Sequence, residues 1–354
     1  MFPIQIDPNE ALKELVEFNE KLIKGVEEIA DVHEIDVGLS PKEVVYQEDK
    51  VVLYHYVPKG PPSRGIPVVI VYALVNRPYM VDLQQDRSMV QNLLDQGLDL
   101  YLVDWGYADR GDMFITMDDY INGYLDNCIN AVRRRHGVDA VSVLGICQGG
   151  TFSLCYAALH PEKVQSLITM VTPVDFDVHD GLLNVWSRAL DVDAMVDALG
   201  NVPGDFMNGG FLMLKPFQLM AQKYVGFVSI LDQQQSLRNF LRMEKWIFDS
   251  PDQAGATFRQ FIKDFYQENK LIKGEVVIGA RQVDLQKVTM PILNIYASED
   301  HLVPPASSVA LERYVGSDDV TTIAFPGGHI GVYVSSRPRK DLAPALSDWV
   351  AAHC

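Results

Sequence analysis

Apolar positions along this chain switch between two periods, and the switches mark out its elements. Leu12, Leu15, Phe18, Leu22, Val26 and Ile29 recur at three- and four-residue steps, which predicts an amphipathic helix over residues 9–31, capped by Asp7 or Asn9. Alternation then takes over. Residues 43–47 and 51–57 read as two strands of an antiparallel hairpin that turns on Glu48, Asp49 and Lys50. Beyond the hairpin, apolar runs and amphipathic stretches take turns. Residues 67–74 read as a buried strand, 88–96 as a helix stopped near Gly97, and 98–103 as a strand ending at Asp104, Trp105 and Gly106. Residues 117–136 read as a helix, 140–146 as a strand and 164–171 as the next strand. Strands alternating with helices predict an α/β protein with a mostly parallel central sheet flanked by helices.

From about residue 175 to residue 286 this alternation stops. Helical stretches at 181–190, 213–231 and 253–269 are rich in Phe, Met, Leu and Gln and are separated by Pro and Gly. Strands return at 291–298 and 320–325. The expectation is a core built from residues 1–174 and 287–354, with 175–286 inserted as a largely helical cap or lid. Most of its Met and Phe side chains must form a small core. An apolar cover that limits water entry is compatible with that packing.

With 354 residues and 48% hydrophobic composition the chain has ample material for one large domain or a domain plus insertion. Its net charge of −17 argues against a general nucleic-acid binder and against docking on anionic membranes. An anionic substrate would need local basic groups; Arg77 and Arg110, which follow strand ends, are candidates for that rim, although a plain surface role is the simpler reading of each. No apolar run reaches the 18 residues of a membrane span, and the N-terminus lacks a secretory pattern. The four cysteines, Cys128, Cys147, Cys155 and Cys354, show neither metal spacing nor a disulfide framework, so a cytoplasmic, reducing compartment and no bound metal are expected. Cys128 and Cys155 fall in helical stretches and read as buried packing thiols, and Cys354 as a frayed end.

Cys147 is different. Residues 143–150 read VLGICQGG: an apolar strand, then a cysteine flanked two residues away by Gly145 and Gly149, then a helical stretch from Thr151. A nucleophile held in a sharp strand-to-helix turn requires nearly bare neighbours at those positions, and the turn aims the Gln148 backbone N–H at a developing oxyanion. Val75, in the loop after the first buried strand, is placed to supply a second N–H. The strand at 291–298 is followed by Glu299, Asp300 and His301, and the strand at 320–325 by Gly327, Gly328 and His329. Nucleophile, acid, then histidine, each at a strand end, is the chain order of the α/β-hydrolase fold. Glu299 competes with Asp300 and His301 with His329. Asp300 and His329 are preferred, because His301 adjoins the acid and is poorly placed to span from it to Cys147. In that arrangement His329 takes the proton of Cys147 and Asp300 fixes the imidazole. Sulfur suits a thioester donor, since acyl exchange between thiols is close to balanced in free energy. The final acceptor, water or an alcohol, is not decided by these three residues.

The elbow GICQGG (145–150), NRPYMVDLQQDRSMV (76–90), YLVDWG (101–106) and YASEDHLVPP (296–305) together resemble the polyhydroxyalkanoate synthases, from about residue 40 onward. The length, with no large extra N-terminal domain, resembles the class III catalytic subunit. The resemblance implies polymerisation of (R)-3-hydroxyacyl-CoA, chiefly 3-hydroxybutyryl-CoA, into a granule-stored polyester. CoA is the leaving group, and no separate cofactor is implied. It carries Cys147 as nucleophile with Asp300 and His329 as its partners, and implies a companion subunit and a homodimer or larger complex. Two other readings remain open: a cysteine hydrolase (a thioesterase or lactone hydrolase) with water as acceptor, and a non-catalytic granule scaffold.

Overall fold

The computed structural model describes residues 35–62, 65–335 and 340–353, together with Lys13, Val16 and Glu17. Of the helix expected over 9–31, those three residues are helical and the rest lies outside the described residues, as does Cys354.

Eight strands form one sheet: β1 (Lys42–Glu48), β2 (Val51–Tyr56), β3 (Val68–Val71), β4 (Leu100–Asp104), β5 (Val141–Ile146), β6 (Val164–Met170), β7 (Ile292–Ala297) and β8 (Val320–Phe325). Their spatial order is β1-β2-β4-β3-β5-β6-β7-β8. β1 and β2 pair antiparallel with Lys42 opposite Tyr56, and β2 meets β4 antiparallel. Every other pair is parallel. The strand at 67–74 is shorter than its apolar run: pairing ends at Val71, and Tyr72 to Leu74 stay buried outside the ladder.

Both faces of the sheet are covered, as continuous rather than alternating apolar strands require. Val69, Val71 and Val143 face one large core, and Val68, Ile70, Leu144 and Ile146 face another. Helices α1 (Met89–Asp95), α2 (Asp126–His136) and α3 (Gln148–Leu159) follow β3, β4 and β5. Ser88 caps α1 by accepting from Gln91 N at 2.9 Å. α3 is buried on all sides, which explains why it shows no polar face.

Between β6 and β7 stand α4 (Leu182–Ala189), α5 (Val192–Leu199), α6 (Gly204–Met213), α7 (Lys223–Ser229), α8 (Gln234–Phe248) and α9 (Gly255–Gln260). Val192, Val196, Val202, Phe258 and Ile262 make a small core of their own here, while Phe261, Phe265 and Leu271 join the main core beside Val71. Three stretches expected as plain helix contain π turns, at Asp119–Leu125, Phe217–Gln222 and Phe261–Gln267. Over one or two turns the apolar spacing of α and π geometry differs by a single residue, so periodicity does not separate them.

Candidate active site

Cys147 sits between the C-terminal end of β5 and the first residue of α3, at φ 54° and ψ −125°. This is a conformation L-residues rarely adopt, costing on the order of 1–3 kcal/mol, and it is held by its surroundings. The Cys147 N–H donates to the Met170 carbonyl at 2.9 Å, and its own carbonyl accepts from Gly150 N at 2.9 Å. The glycines around it are required by contact. A Cβ at Gly145 would lie 2.5 Å from Gly150 Cα, at Gly149 2.2 Å from the Val71 carbonyl oxygen, and at Gly150 1.8 Å from Thr172 Oγ1. The strand, the turn and the helix therefore pack too closely for side chains, and the thiol is left half-buried at the sheet's C-terminal edge.

Asp300 follows β7 and is buried. Its Oδ1 accepts from the backbone N–H groups of Leu302 at 2.9 Å and Val303 at 3.0 Å, and its Oδ2 lies 2.7 Å from His329 Nδ1. Both carboxylate oxygens are thus fixed and the imidazole is oriented. The same ring interacts with Cys147, and with Nδ1 taken by Asp300, Nε2 is the nitrogen left to serve the sulfur. Burial by itself would lower the His329 pKa, but the Asp300 carboxylate and the neighbouring Cys147 outweigh it and raise it to about 10. Among the described residues, the two competitors make no hydrogen bond to this pair. Glu299 is exposed, and half-buried His301 is held below its ordinary value by burial and the nearby Lys215 ammonium.

The two oxyanion candidates are linked through one residue, Leu74. The Gln148 side chain accepts from Leu74 N at 3.1 Å, and Gln253 Nε2 donates to the Leu74 carbonyl at 2.9 Å, so the residue before Val75 is gripped from both sides. Among the described residues no hydrogen-bond acceptor meets the backbone N–H of Val75 or Gln148. Arg77 is committed within the protein: it pairs with Asp104 Oδ2 at 2.8 Å, donates to the Gly106 carbonyl at 2.7 Å and stacks on Tyr107. Arg110 is exposed on a 3-10 turn. Cys128 and Cys155 are buried, and burial pushes both thiols up.

Sequence reasoning did not single out Asn76, Tyr72 or Tyr333. Asn76 has φ 58° and its Nδ2 donates to Asn208 Oδ1, the Trp246 carbonyl and the Ile247 carbonyl, tying the loop after β3 to α6 and α8. Tyr72 and Tyr333 are buried beside Cys147. Available signals were an asparagine in a turn, a tyrosine ending an apolar strand and another four residues beyond His329.

The sheet order, the strained cysteine turn and the Asp300–His329 pair define an α/β hydrolase fold. Residues 66–335 match the family model described as alpha/beta hydrolase fold, and residues 10–93 match that of the poly-beta-hydroxybutyrate polymerase N-terminus. Solved structures agree on the fold: a monoacylglycerol lipase of Paleococcus ferrophilus aligns with TM-score 0.52 at 15% identity over 85% of this chain and 99% of that one. An esterase from Exiguobacterium antarcticum aligns with TM-score 0.51 at 18% identity, over 85% and 96%. The poly(3-hydroxyalkanoate) polymerase subunit PhaC of Allochromatium vinosum is 56% identical over 99% of both chains, and that of Thiocystis violacea 54% identical over 99% of both. The chain belongs to the poly(3-hydroxyalkanoate) polymerase subunit family.

Proposed function

We propose that the protein polymerises (R)-3-hydroxyacyl-CoA, chiefly 3-hydroxybutyryl-CoA, with Cys147 as the covalent acyl carrier. The observation that carries this reading is the buried His329–Asp300 hydrogen bond at 2.7 Å, with the ring within reach of Cys147 on a strained cysteine elbow, in a chain 56% identical to a named polymerase subunit.

The thiolate attacks the thioester carbonyl, and the Val75 and Gln148 N–H groups receive the oxyanion. The bond to the CoA sulfur breaks, that sulfur takes the proton held by His329, and CoA leaves. His329 then accepts the proton of an incoming 3-hydroxyl, whose oxygen attacks the Cys147 thioester; the bond from the acyl carbon to the Cys147 sulfur breaks and the thiolate is restored beside the protonated His329, while an ester forms and the chain grows by one unit. Asp300 holds the ring and stabilises the imidazolium at both stages. The steps use only the chain's own residues and the substrate.

The helices between β6 and β7 act in this scheme as a cap, residues 175–286 over a core of 1–174 and 287–354, that keeps water from competing with the hydroxyl. Asn76 supports this, since it joins the oxyanion loop to α6 and α8. Exposed Phe206, Met213, Phe217 and Val225 on this insertion support contact with another surface. A companion subunit, a homodimer or larger complex, and a cytoplasmic polyester granule are the proposed settings. Among the described residues no helix is long and apolar enough to cross a membrane.

Incubation with 3-hydroxybutyryl-CoA tests the reading. Thiol release with matching mass of insoluble polyester is expected. Thiol release with only free 3-hydroxybutyrate would make the protein a thioesterase instead.

A further inference from the structure

Three phenols, those of Tyr72, Tyr266 and Tyr333, lie within electrostatic reach of the nucleophile, and Tyr72 and Tyr333 face one another. Tyr72 lies one residue beyond β3, where its backbone crowds Gly149 of the elbow. Tyr333 lies in the short helix Gly331–Val334, four residues after His329. Both are buried, and both belong to the core against which Cys147 packs, within its electrostatic reach. Their rings meet edge to face at 6.4 Å, and their hydroxyl oxygens are 3.5 Å apart.

That separation is at the outer limit of a hydrogen bond. A buried phenol ordinarily finds a good partner. Among the described residues each hydroxyl has only the other, at long range, so the pair keeps spare capacity. Burial pushes both phenols well above their ordinary pKa, so both keep their protons at any working pH. Two O–H groups at this spacing are too close to hold an atom between them. They are well spaced to converge on one oxygen lying above both, about 2.8 Å from each.

The acyl unit to be loaded on Cys147 carries one distinctive oxygen, at C3, two carbons from the thioester carbonyl. We propose that the Tyr72 and Tyr333 hydroxyls together bind that C3 oxygen and make the site selective for 3-hydroxyacyl over unsubstituted acyl thioesters. The proposal rests on the polymerase reading above and adds the residues that recognise the substrate's hydroxyl. An analogue lacking that oxygen leaves two buried O–H groups unmet, and sites built this way reject such analogues strongly.

Single-turnover release of CoA measures the selectivity, with (R)-3-hydroxybutyryl-CoA and butyryl-CoA compared on the full chain. The intact protein should prefer the hydroxylated thioester by about 100-fold or more. Tyr72→Phe and Tyr333→Phe should each cut that ratio about tenfold, and the double variant should nearly abolish it. Equal acylation of the intact protein by both thioesters overturns the proposal without any variant. So does a ratio that stays constant while both rates fall together, the signature of a structural role. Failure of (R)-3-hydroxybutyryl-CoA to acylate the intact protein at all is a separate outcome: it removes the polymerase reading, and this selectivity with it.

Discussion

Asn76 and Trp246 are bound to one another's neighbourhood in both directions: Asn76 Nδ2 donates to the Trp246 carbonyl at 3.2 Å, and Trp246 Nε1 donates to the Arg77 carbonyl at 2.9 Å. The loop carrying Val75 is therefore built partly from α8, 170 positions away in sequence. Asn76→Ala removes three hydrogen bonds and leaves a side chain less suited to φ 58°, so a loss of about 2–3 kcal/mol is expected in urea unfolding. Asn76→Gly relieves the backbone but not the lost bonds. It should recover only about 1 kcal/mol of stability, and both variants should slow CoA release. Full activity in Asn76→Ala would show that the loop does not depend on this staple.

The glycines of the chain separate by what surrounds them. Gly150→Ala places a Cβ against Thr172 Oγ1 and Gly149→Ala against the Val71 carbonyl, so each should lose several kcal/mol or fail to accumulate as folded protein, on the order of other overpacked cores. Gly226 in α7 has nothing within 4 Å of its added Cβ, and Gly226→Ala should gain about 0.5–1 kcal/mol. Thermal melts of the three variants check the contrast, and a neutral Gly150→Ala would contradict the close packing of the elbow against Thr172, just beyond β6.

His329 sets an alkaline limit. Its folded pKa is raised to about 10, above the unfolded value of about 6.5. Its contribution to stability is therefore complete below about pH 6.5 and is lost as pH rises through about 10. The ¹⁵N shifts of the ring should report an imidazolium at about pH 8, and Asp300→Asn should bring its titration down by more than about one unit. The fall in melting temperature above about pH 8 should be smaller in His329→Gln than in the intact protein. A neutral His329 ring at about pH 8 would contradict the raised pKa that its partners confer.

Much of this was legible from residue order. The central strands are apolar runs bounded by polar turns, and residues such as Val141 to Ile146 have no alternative in water. The elbow was legible because its glycines are demanded by contact with Val71 and Thr172, partners that any such turn meets. What stayed hidden depends on distant pairings. Nothing local to Asn76 announces Trp246, and nothing local to Tyr72 announces Tyr333, 261 residues on. Of the helices between β6 and β7, the stretches at 181–190, 213–231 and 253–269 were legible as separate, but α5, α6 and α8, which stand between them, were not picked out, because a shared composition conceals their bounds.

Replacing the sulfur probes the chemistry without altering the turn. Cys147→Ser keeps a nucleophile of similar size but gives a more stable oxygen ester as its acyl product. CoA release from 3-hydroxybutyryl-CoA should fall by about a thousandfold or more and polymer should not form. Stability should change by less than about 1 kcal/mol, which a urea melt checks. Polymer from the serine variant at an undiminished rate would place the chemistry elsewhere.

The most direct measurement is mass spectrometry of the protein quenched in acid after brief mixing with 3-hydroxybutyryl-CoA, followed by peptide mapping. The account predicts one or more 3-hydroxybutyryl units on the peptide containing Cys147, and none in Cys147→Ala. Acyl groups on another residue, or CoA release by Cys147→Ala at the rate of the intact protein, would contradict it.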